Sequence, residues 1–206
     1  MMKQNLSNLS MMSSDKNNSQ FVYTDEELIK NFQKGNEDAY VQLVNRYKDK
    51  LINFVFRMIG DLEQSEDIVQ ETMIKLYYKK HYYREVAKFS TWIYTIARNQ
   101  TNTELRKKKR KQTLSLSRFG KNEKDYELAA IQPKIEKELE DRFLLKRIQS
   151  CINKLPDHYK TVIILRDIEQ LSYEEISEIV SAPLGTIKSR INRARLQIQA
   201  EIKDYK

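Results

Sequence analysis

The stretch that decides the fold is SYEEISEIVSAPLGTIKSRINRAR, residues 172–195. Ser172 and Glu175 have the spacing of a capping box, so a helix is predicted to begin here. Pro183 requires that helix to stop near Val180, and a second helix begins directly beside the proline. A short capped helix, a tight break and a second helix together predict a helix-turn-helix.

Charge is sorted between the two helices of this motif. The second helix, which runs towards Ile202, carries four cations and no acid between Leu184 and Ile198, whereas the first carries three glutamates. In a helix-turn-helix the second helix enters the major groove, and its first turns contact base edges. The side chains predicted to face outward there are Thr186, Lys188, Ser189, Arg190, Arg193 and Arg195. The simpler alternative is a pair of crossed helices with a solvated basic face.

Composition excludes several classes of protein. Among 206 residues there are 37 lysines and arginines against 29 acids, and the net charge of +8 favours nucleic acid or an anionic membrane as partner. One cysteine and two histidines exclude an intrachain disulfide and a zinc cluster, and four separated glycines exclude a phosphate-binding glycine loop. No apolar run is long enough to span a membrane. We therefore expect a cytoplasmic protein with no membrane insertion, no cofactor and no resident metal.

Helical periodicity runs through most of the chain, and no β-type alternation is present. Residues 1–20 are rich in Asn, Ser and Met and are predicted to form a disordered tail. Residues 21–111 contain four helical patterns, and residues 112–133 have the composition of a flexible linker. Residues 134–206 contain the helix-turn-helix. The sequence therefore predicts an all-α fold of two small helical domains joined by a linker.

The four helical patterns of the first domain have recognisable starts and stops. The first begins at Thr24, and the second ends at Gly60. The third covers Leu62 to about Lys79 and has Tyr77 on its predicted core face. The fourth follows a short loop and leads into the basic run from Arg106 to Lys111.

Two segments of the first domain carry unusual side chains. Phe89 to Lys111 combines aromatics, amides and cations on one predicted helix, a mixture that suits single-stranded or melting DNA, with a core role for Trp92 as the alternative. Asp61 to Glu71 holds five acids and no cation, which suggests docking on a basic protein surface. The favourable helix dipole also explains the first of these acids. Catalysis there would require a converging histidine or a second carboxylate cluster, and the sequence supplies neither.

Five segments stand in a distinctive order along the chain. They are DLEQSEDIVQE at 61–71, FSTWIYTIARN at 89–99, Leu155-Pro156, LSYEEI at 171–176 and PLGTIKSRINRAR at 183–195. In this order and spacing they resemble the extracytoplasmic-function (ECF) sigma factors of the sigma-70 family, and the resemblance covers about Thr24 to Ile202. It implies a bacterial initiation factor, not an enzyme, that binds core RNA polymerase, directs it to promoters and helps to open the DNA.

The resemblance assigns a role to each unusual segment. It makes residues 21–111 sigma region 2, which docks on the β′ coiled coil and captures the minus-ten element. It makes residues 134–206 sigma region 4, which contacts the β flap and reads the minus-thirty-five element. The implied polymerase-binding residues are Asp61, Glu66, Asp67, Gln70 and Glu71. The implied minus-ten residues are Lys88, Trp92, Thr95, Arg98, Asn99, Asn102 and Arg106. The implied minus-thirty-five residues are Ser172, Tyr173, Thr186, Lys188, Ser189, Arg190, Arg193 and Arg195.

The resemblance also implies a protein that controls the factor. This partner is an anti-sigma factor or another recruiting protein, such as a nuclease-dead CRISPR effector. The chain departs from many members in the turn of the helix-turn-helix, where Ser181 stands in place of a glycine. Two other classes of protein stay open. A helix-turn-helix regulator that binds DNA as a free dimer explains the C-terminal domain alone, and an RNA-processing enzyme requires catalytic carboxylates or a metal cluster.

Overall fold

The computed structural model describes residues 23–116 and 147–203, and all regular structure within them is helical. The first domain contains α1 (Asp25–Gln33), α2 (Glu37–Ile59), α3 (Leu62–Lys79), a 3-10 turn (Lys80–Tyr82) and α4 (Phe89–Leu116). The second contains α5 (described for 147–154), α6 (Asp157–Ile163), a π-helical segment (Ile164–Ile168), α7 (Tyr173–Val180) and α8 (Leu184–Lys203). The predicted all-α fold is confirmed. None of the described helices is long and apolar enough to cross a lipid bilayer.

The predicted domain boundaries are only partly covered by the described residues. The tail at 1–20 lies outside them, as do residues 117–146, which include most of the predicted linker. Helix α4 continues to Leu116, so the first residues assigned to the linker are helical. The boundaries therefore stay predictions.

Helix ends follow the local rules that the sequence indicated. Thr24 Oγ1 accepts a hydrogen bond from Glu27 N at 3.2 Å, and Ser172 Oγ accepts one from Glu175 N at 3.1 Å. In both pairs the glutamate accepts in return from the backbone N–H of the capping residue, which completes a capping box. Gly60 ends α2 with a φ of 79°, a left-handed conformation that glycine adopts without steric cost.

The core of the first domain lies between all four of its helices. Its fully buried side chains include Phe32, Phe54, Phe89, Leu28, Ile29, Leu43, Leu51, Leu76 and Ile93. The prediction that Tyr77 belongs to this core is wrong, because that residue is 37% exposed. Its ring packs on Phe32 and Tyr40, while its hydroxyl donates to Glu37 Oε1 at 3.2 Å. A phenol packs in this way at the edge of a core because its hydroxyl is better placed near water.

The second domain packs α6, α7 and α8 around a small aliphatic core. Ile187, Ile191 and Ala194 line the inner face of α8, as the spacing predicts. The π-helical segment was not predicted. It is marked by a hydrogen bond from Glu169 N to Ile164 O at 3.0 Å, five residues apart. Its wider turn is followed by Gln170 at a φ of 59°.

Candidate nucleic-acid interface

One face of α4 collects most of the predicted minus-ten residues. Six of the seven recur at alternating four- and three-residue spacing, so they form one line of about 27 Å at about 1.5 Å per residue. The members of this line, which we call the α4 stripe, are Lys88, Trp92, Thr95, Asn99, Asn102 and Arg106. Each is exposed or half-buried. The helix therefore presents two cations, an aromatic ring, a hydroxyl and two amides along one accessible edge.

The first domain holds the side chains of Trp92 and Thr95 in place. Both side chains stay partly accessible to solvent. The Trp92 ring is half-buried against Tyr83 and Phe89, with centroid distances of 5.5 Å and 6.1 Å. Thr95 Oγ1 donates to Thr91 O at 2.7 Å, so its remaining lone pair can still accept a hydrogen bond. Both the core role and the DNA-facing role considered for Trp92 are compatible with this half-buried position.

Arg98 lies beside the α4 stripe and turns towards the second domain. Its guanidinium donates to Ile179 O of α7 at 3.3 Å, and its Nε is buried with no hydrogen-bond partner among the described residues. Burial lowers the pKa of Arg98, and the positive charges of Arg106 and Arg190 lower it further. Arg98 therefore faces the second domain, but its guanidinium also donates to Asn99 Oδ1 of the α4 stripe at 3.4 Å.

The predicted polymerase-binding residues all lie exposed on α3 or at its start. Asp61 caps the helix by accepting from Gln64 N at 3.0 Å, and Glu71 pairs with Lys75 at 3.3 Å. Among the described residues, no hydrogen bond or ion pair involves the side chains of Glu66, Asp67 and Gln70.

The basic run at the end of α4 lies next to this acidic face. Asp61 and Asp67 line a groove of about 530 Å³ together with Lys107, Lys108 and Lys111. Sequence reasoning treated the acids and the lysines as separate surfaces, because 40 residues separate Asp67 from Lys107 along the chain. In the folded domain they form one surface of mixed charge.

The outer face of α8 is accessible over its first turns. Lys188, Ser189 and Arg193 are exposed, and Thr186 and Arg190 are half-buried. Ser189 Oγ donates to the backbone carbonyl Thr186 O at 2.9 Å, which ties the Ser189 side chain to the preceding turn of α8.

Arg195 and Tyr173 are fixed by residues that sequence reasoning missed. Arg195 makes a bidentate pair with Asp167 in the π-helical segment, at 3.0 Å and 2.5 Å. The Tyr173 ring lies between the guanidinium of Arg166 at 4.7 Å and the ammonium of Lys188 at 6.0 Å. Arg166 precedes the motif, so no local pattern indicated it. Ser172, also assigned to DNA, is half-buried and caps α7.

The fold and these faces define an all-helical, two-domain DNA-binding protein with a helix-turn-helix. Within residues 23–116 and 147–203, no group of three or more His, Cys, Asp or Glu side chains is arranged to hold a metal ion.

Comparison with known proteins assigns the family. Residues 43–111 match the family model "Sigma-70 region 2", and residues 145–198 match "Sigma-70, region 4". The chain is 38% identical over 178 residues to the ECF RNA polymerase sigma factor SigW of Bacillus subtilis, which covers 85% of this chain and 95% of the relative. It is 33% identical to the ECF RNA polymerase sigma-E factor of Haemophilus influenzae, over 87% of this chain and 95% of that one.

Solved structures agree with this assignment. The sigma factor RpoE of Bartonella quintana, in complex with the anti-sigma factor NepR, has a TM-score of 0.64 and 28% identity, and the match covers 80% of this chain and 96% of that one. The chain belongs to the ECF sigma factors of the sigma-70 family. It is thus a promoter-directing factor for RNA polymerase, and a helix-turn-helix regulator acting without polymerase is not favoured.

Proposed function

We propose that each of three faces of the chain contacts a different partner during initiation. The acidic face of α3 docks on core polymerase, the α4 stripe contacts the opened minus-ten element, and the start of α8 reads the minus-thirty-five element. Residues 21–111 then act as region 2 and residues 134–206 as region 4. The chain itself carries out no catalysis and acts in the cytoplasm, where the polymerase and its promoters are.

The α4 stripe is the observation that carries this proposal. Aromatic faces stack on unpaired bases, amides bond to base edges, and cations follow phosphates. A line of about 27 Å is long enough to follow several nucleotides of single strand, at about 3.4 Å per nucleotide. Trp92 has one side packed on the domain, which holds its ring in place for a base to stack on.

The acidic face of α3 supports the docking role. Asp67 and Gln70 are exposed, and no hydrogen bond or ion pair within the described residues uses their side chains. Carboxylates clustered on a protein of positive net charge steer a basic protein surface towards them and repel DNA. The face is therefore suited to a protein partner.

The relatives support a partner that restrains the factor. RpoE of Bartonella quintana was solved with the anti-sigma factor NepR. We extend this to the present chain and propose that a dedicated anti-sigma protein binds it.

The docking proposal is tested by removing two neighbouring acids from α3. Asp67→Ala with Glu71→Ala should weaken the binding of this chain to purified core polymerase at least about tenfold, because truncating charged interface residues often costs about 2 kcal/mol or more. Affinity is measured by titrating labelled chain with core enzyme at two salt concentrations.

The matched control removes two acids with the same spacing on α7, Glu174→Ala with Glu178→Ala. Both residues are exposed, so the change in net charge is identical. Equal weakening by the two pairs would show a general charge effect, and unchanged affinity in the α3 pair would exclude the docking role.

A further inference from the structure

Trp92 packs on two rings, and each ring belongs to a residue whose backbone is bound by a side chain of α1. Tyr83 and Phe89 lie against the indole at centroid distances of 5.5 Å and 6.1 Å. Gln33 of α1 donates from Nε2 to Tyr83 O at 3.1 Å, and Glu26 of α1 accepts from Phe89 N at 3.1 Å. The indole of the α4 stripe is therefore linked to α1 through both of these neighbours.

The α1 side chains that reach this segment lie on one face of the helix. Glu26, Lys30 and Gln33 follow one another at four- and three-residue spacing, so they are neighbours along one edge. Lys30 pairs with Glu85 at 2.6 Å, and Gln33 Nε2 also donates to Lys80 O at 2.7 Å. We call Glu26, Lys30 and Gln33 the α1 clamp. It holds the chain in the 3-10 turn, in the loop that follows and at the first residue of α4.

The loop from Tyr83 to Lys88 buries little of its own surface. Four of its six residues are exposed, and Val86 is 90% exposed. Tyr83 is 5% exposed, and its hydroxyl donates to Ala87 O at 2.9 Å inside the loop. Segments with few buried contacts open at a low cost in free energy. The bonds from α1 therefore contribute much of what fixes the start of α4.

The position of the indole matters for its proposed use. Trp92 is half-buried, so one part of its surface follows Tyr83 and Phe89 while another part stays accessible to a base. A side chain that is fixed in advance loses less conformational entropy when a ligand binds to it. A shift in the backbone of either neighbour would move the surface that Trp92 offers.

We propose that α1 is the positioning element of the promoter-contacting helix, and that Glu26 and Gln33 are positioning residues that fix the Trp92 ring for stacking on an unpaired base. The proposal rests on the proposed role of the α4 stripe. Beyond that role, it assigns a task to α1, which belongs to none of the three faces described above.

The clamp is distinct from the part of α1 that stabilises the fold. Leu28, Ile29 and Phe32 are each at most 1% exposed and hold the helix in the core. Glu26 and Gln33 are only half-buried, so removing their polar atoms leaves this apolar face intact. Clamp variants should therefore stay folded while the Trp92 ring gains mobility.

Two substitutions break the clamp and change the charge in opposite directions. Gln33→Glu is nearly isosteric and removes the amide that donates to Tyr83 O, whereas its matched control, Gln42→Glu, makes the same change at an exposed position of α2. Glu26→Leu removes the acceptor of the Phe89 N–H, whereas Glu26→Gln removes the same charge and keeps an accepting oxygen. An effect shared by Gln33→Glu and Glu26→Leu therefore cannot come from net charge.

The chain has a single tryptophan, so its emission reports on the ring in question. Time-resolved fluorescence anisotropy of the free, full-length chain measures the local motion of the indole, and thermal unfolding of the same samples measures stability. We expect the amplitude of fast indole motion to rise about twofold in Gln33→Glu and in Glu26→Leu. Glu26→Gln and Gln42→Glu should match the wild type.

Stacking is measured in the holoenzyme, the complex of this chain with core polymerase, on a premelted promoter template. Trp92 is replaced by the analogue hydroxytryptophan, whose emission is excited apart from that of the polymerase tryptophans. Quenching on addition of the template reports a base stacked on the ring. We expect Gln33→Glu and Glu26→Leu to lower the affinity for this template about fivefold, because the ring must be ordered as the base binds.

Greater indole motion together with weaker template binding in both clamp variants would support the proposal. Unchanged motion, or greater motion without weaker binding, would overturn it. If one variant fails to fold, the other decides, since the two act on Trp92 through different neighbours. Failure of both to fold would overturn the proposal, because the clamp would then be purely structural.

The wild-type holoenzyme separates this proposal from the previous one. If the template does not quench the emission of hydroxytryptophan at position 92, the assigned stacking role of the α4 stripe fails. The anisotropy of the free chain still decides whether α1 fixes the ring.

Discussion

Ser181 determines how the two helices of the helix-turn-helix meet. It ends α7 at a φ of 55° and a ψ of 50°, and the next N–H, that of Ala182, bonds to Ser177 O at 3.1 Å. This left-handed geometry is costly for a side chain with a Cβ and is free of that cost for glycine. The serine anticipated as a departure from the family therefore adopts the conformation that the glycine would adopt.

Replacing this serine should stabilise the second domain. We expect Ser181→Gly to raise its free energy of unfolding by roughly 0.5–1 kcal/mol, because the relief of steric strain exceeds the entropy lost by glycine. Thermal unfolding of the full chain measures the change.

The reverse substitution at the end of α2 is the control. A Cβ at Gly60 would meet no atom within 4 Å, so Gly60→Ser tests the φ of 79° alone and should lower stability by a similar amount. A stabilising Gly60→Ser, or a destabilising Ser181→Gly, would contradict the backbone argument at both sites.

Among the elements, α4 has three different neighbours. Phe89, Ile93 and Ala97 face the core of the first domain, the α4 stripe faces solvent, and the flank with Tyr94 and Arg98 meets the second domain. One helix therefore links stability, the proposed DNA contact and the packing of the two domains. A substitution on one face can leave the other two unchanged.

Asn99 is the stripe residue best suited to isolate the DNA contact. It is exposed and lies outside the core, and its Oδ1 accepts only a long hydrogen bond of 3.4 Å from Arg98, so Asn99→Ala should leave folding unchanged. We expect open-complex formation on duplex promoters to slow about fivefold to tenfold, with a smaller effect on premelted templates, because amide contacts form to bases that have left the stack.

Asn45→Ala, at an exposed position on α2, is the control for this variant. Stopped-flow kinetics of the holoenzyme on both templates measure the effect. Equal slowing on duplex and premelted DNA would assign Asn99 a role other than contact with opened bases.

At the scale of the elements, the sequence predicts the helix ends but not every turn within a helix. Helix ends such as those at Thr24 and Gly60 were predictable because capping depends on neighbouring residues. The π-helical segment was not, because an apolar run like Val162 to Leu165 fits both a regular and a widened turn. Hydrogen-bond partners across the domain boundary could not be predicted either. Arg98 has the composition of a DNA contact, and its carbonyl partner Ile179 is 81 residues away.

For the whole molecule, mild acidity should favour the closed state, in which α7 packs on α4, α6 packs on α2, and Tyr94 donates a hydrogen bond to Glu169 across the contact. Burial raises the pKa of Glu169 above its ordinary value of 4.5, although the bond from Tyr94 and the charges of Arg57 and Lys50 act in the opposite direction. When the domains separate, Glu169 returns to water and its pKa falls back to the ordinary value. Closing therefore takes up protons, so the closed-to-open ratio rises as pH falls towards 4.5 and declines as pH rises through the higher pKa.

Single-molecule energy transfer at about pH 7.5 and about pH 5.5 measures this dependence, with dyes on cysteines introduced by Asp49→Cys and Gln199→Cys in a chain whose own Cys151 is changed to serine. Glu169→Gln separates it from any contribution of Glu175 and Asp157, the other carboxyls in the contact. Tyr94 and Tyr47 also face Glu169 and stay neutral over this range, because burial raises the pKa of both phenols; Lys50 and Arg57 line the same cavity. A wild-type ratio that does not rise at the lower pH, or one that rises equally in Glu169→Gln, would contradict the sign worked out here.

The contact between α4 and α7 joins two parts of one polypeptide, so the closed fraction does not change when the protein is diluted or overproduced. Any ligand that requires the open state binds with its intrinsic dissociation constant divided by the open fraction. If about one molecule in ten is open, the apparent affinity for such a ligand falls about tenfold.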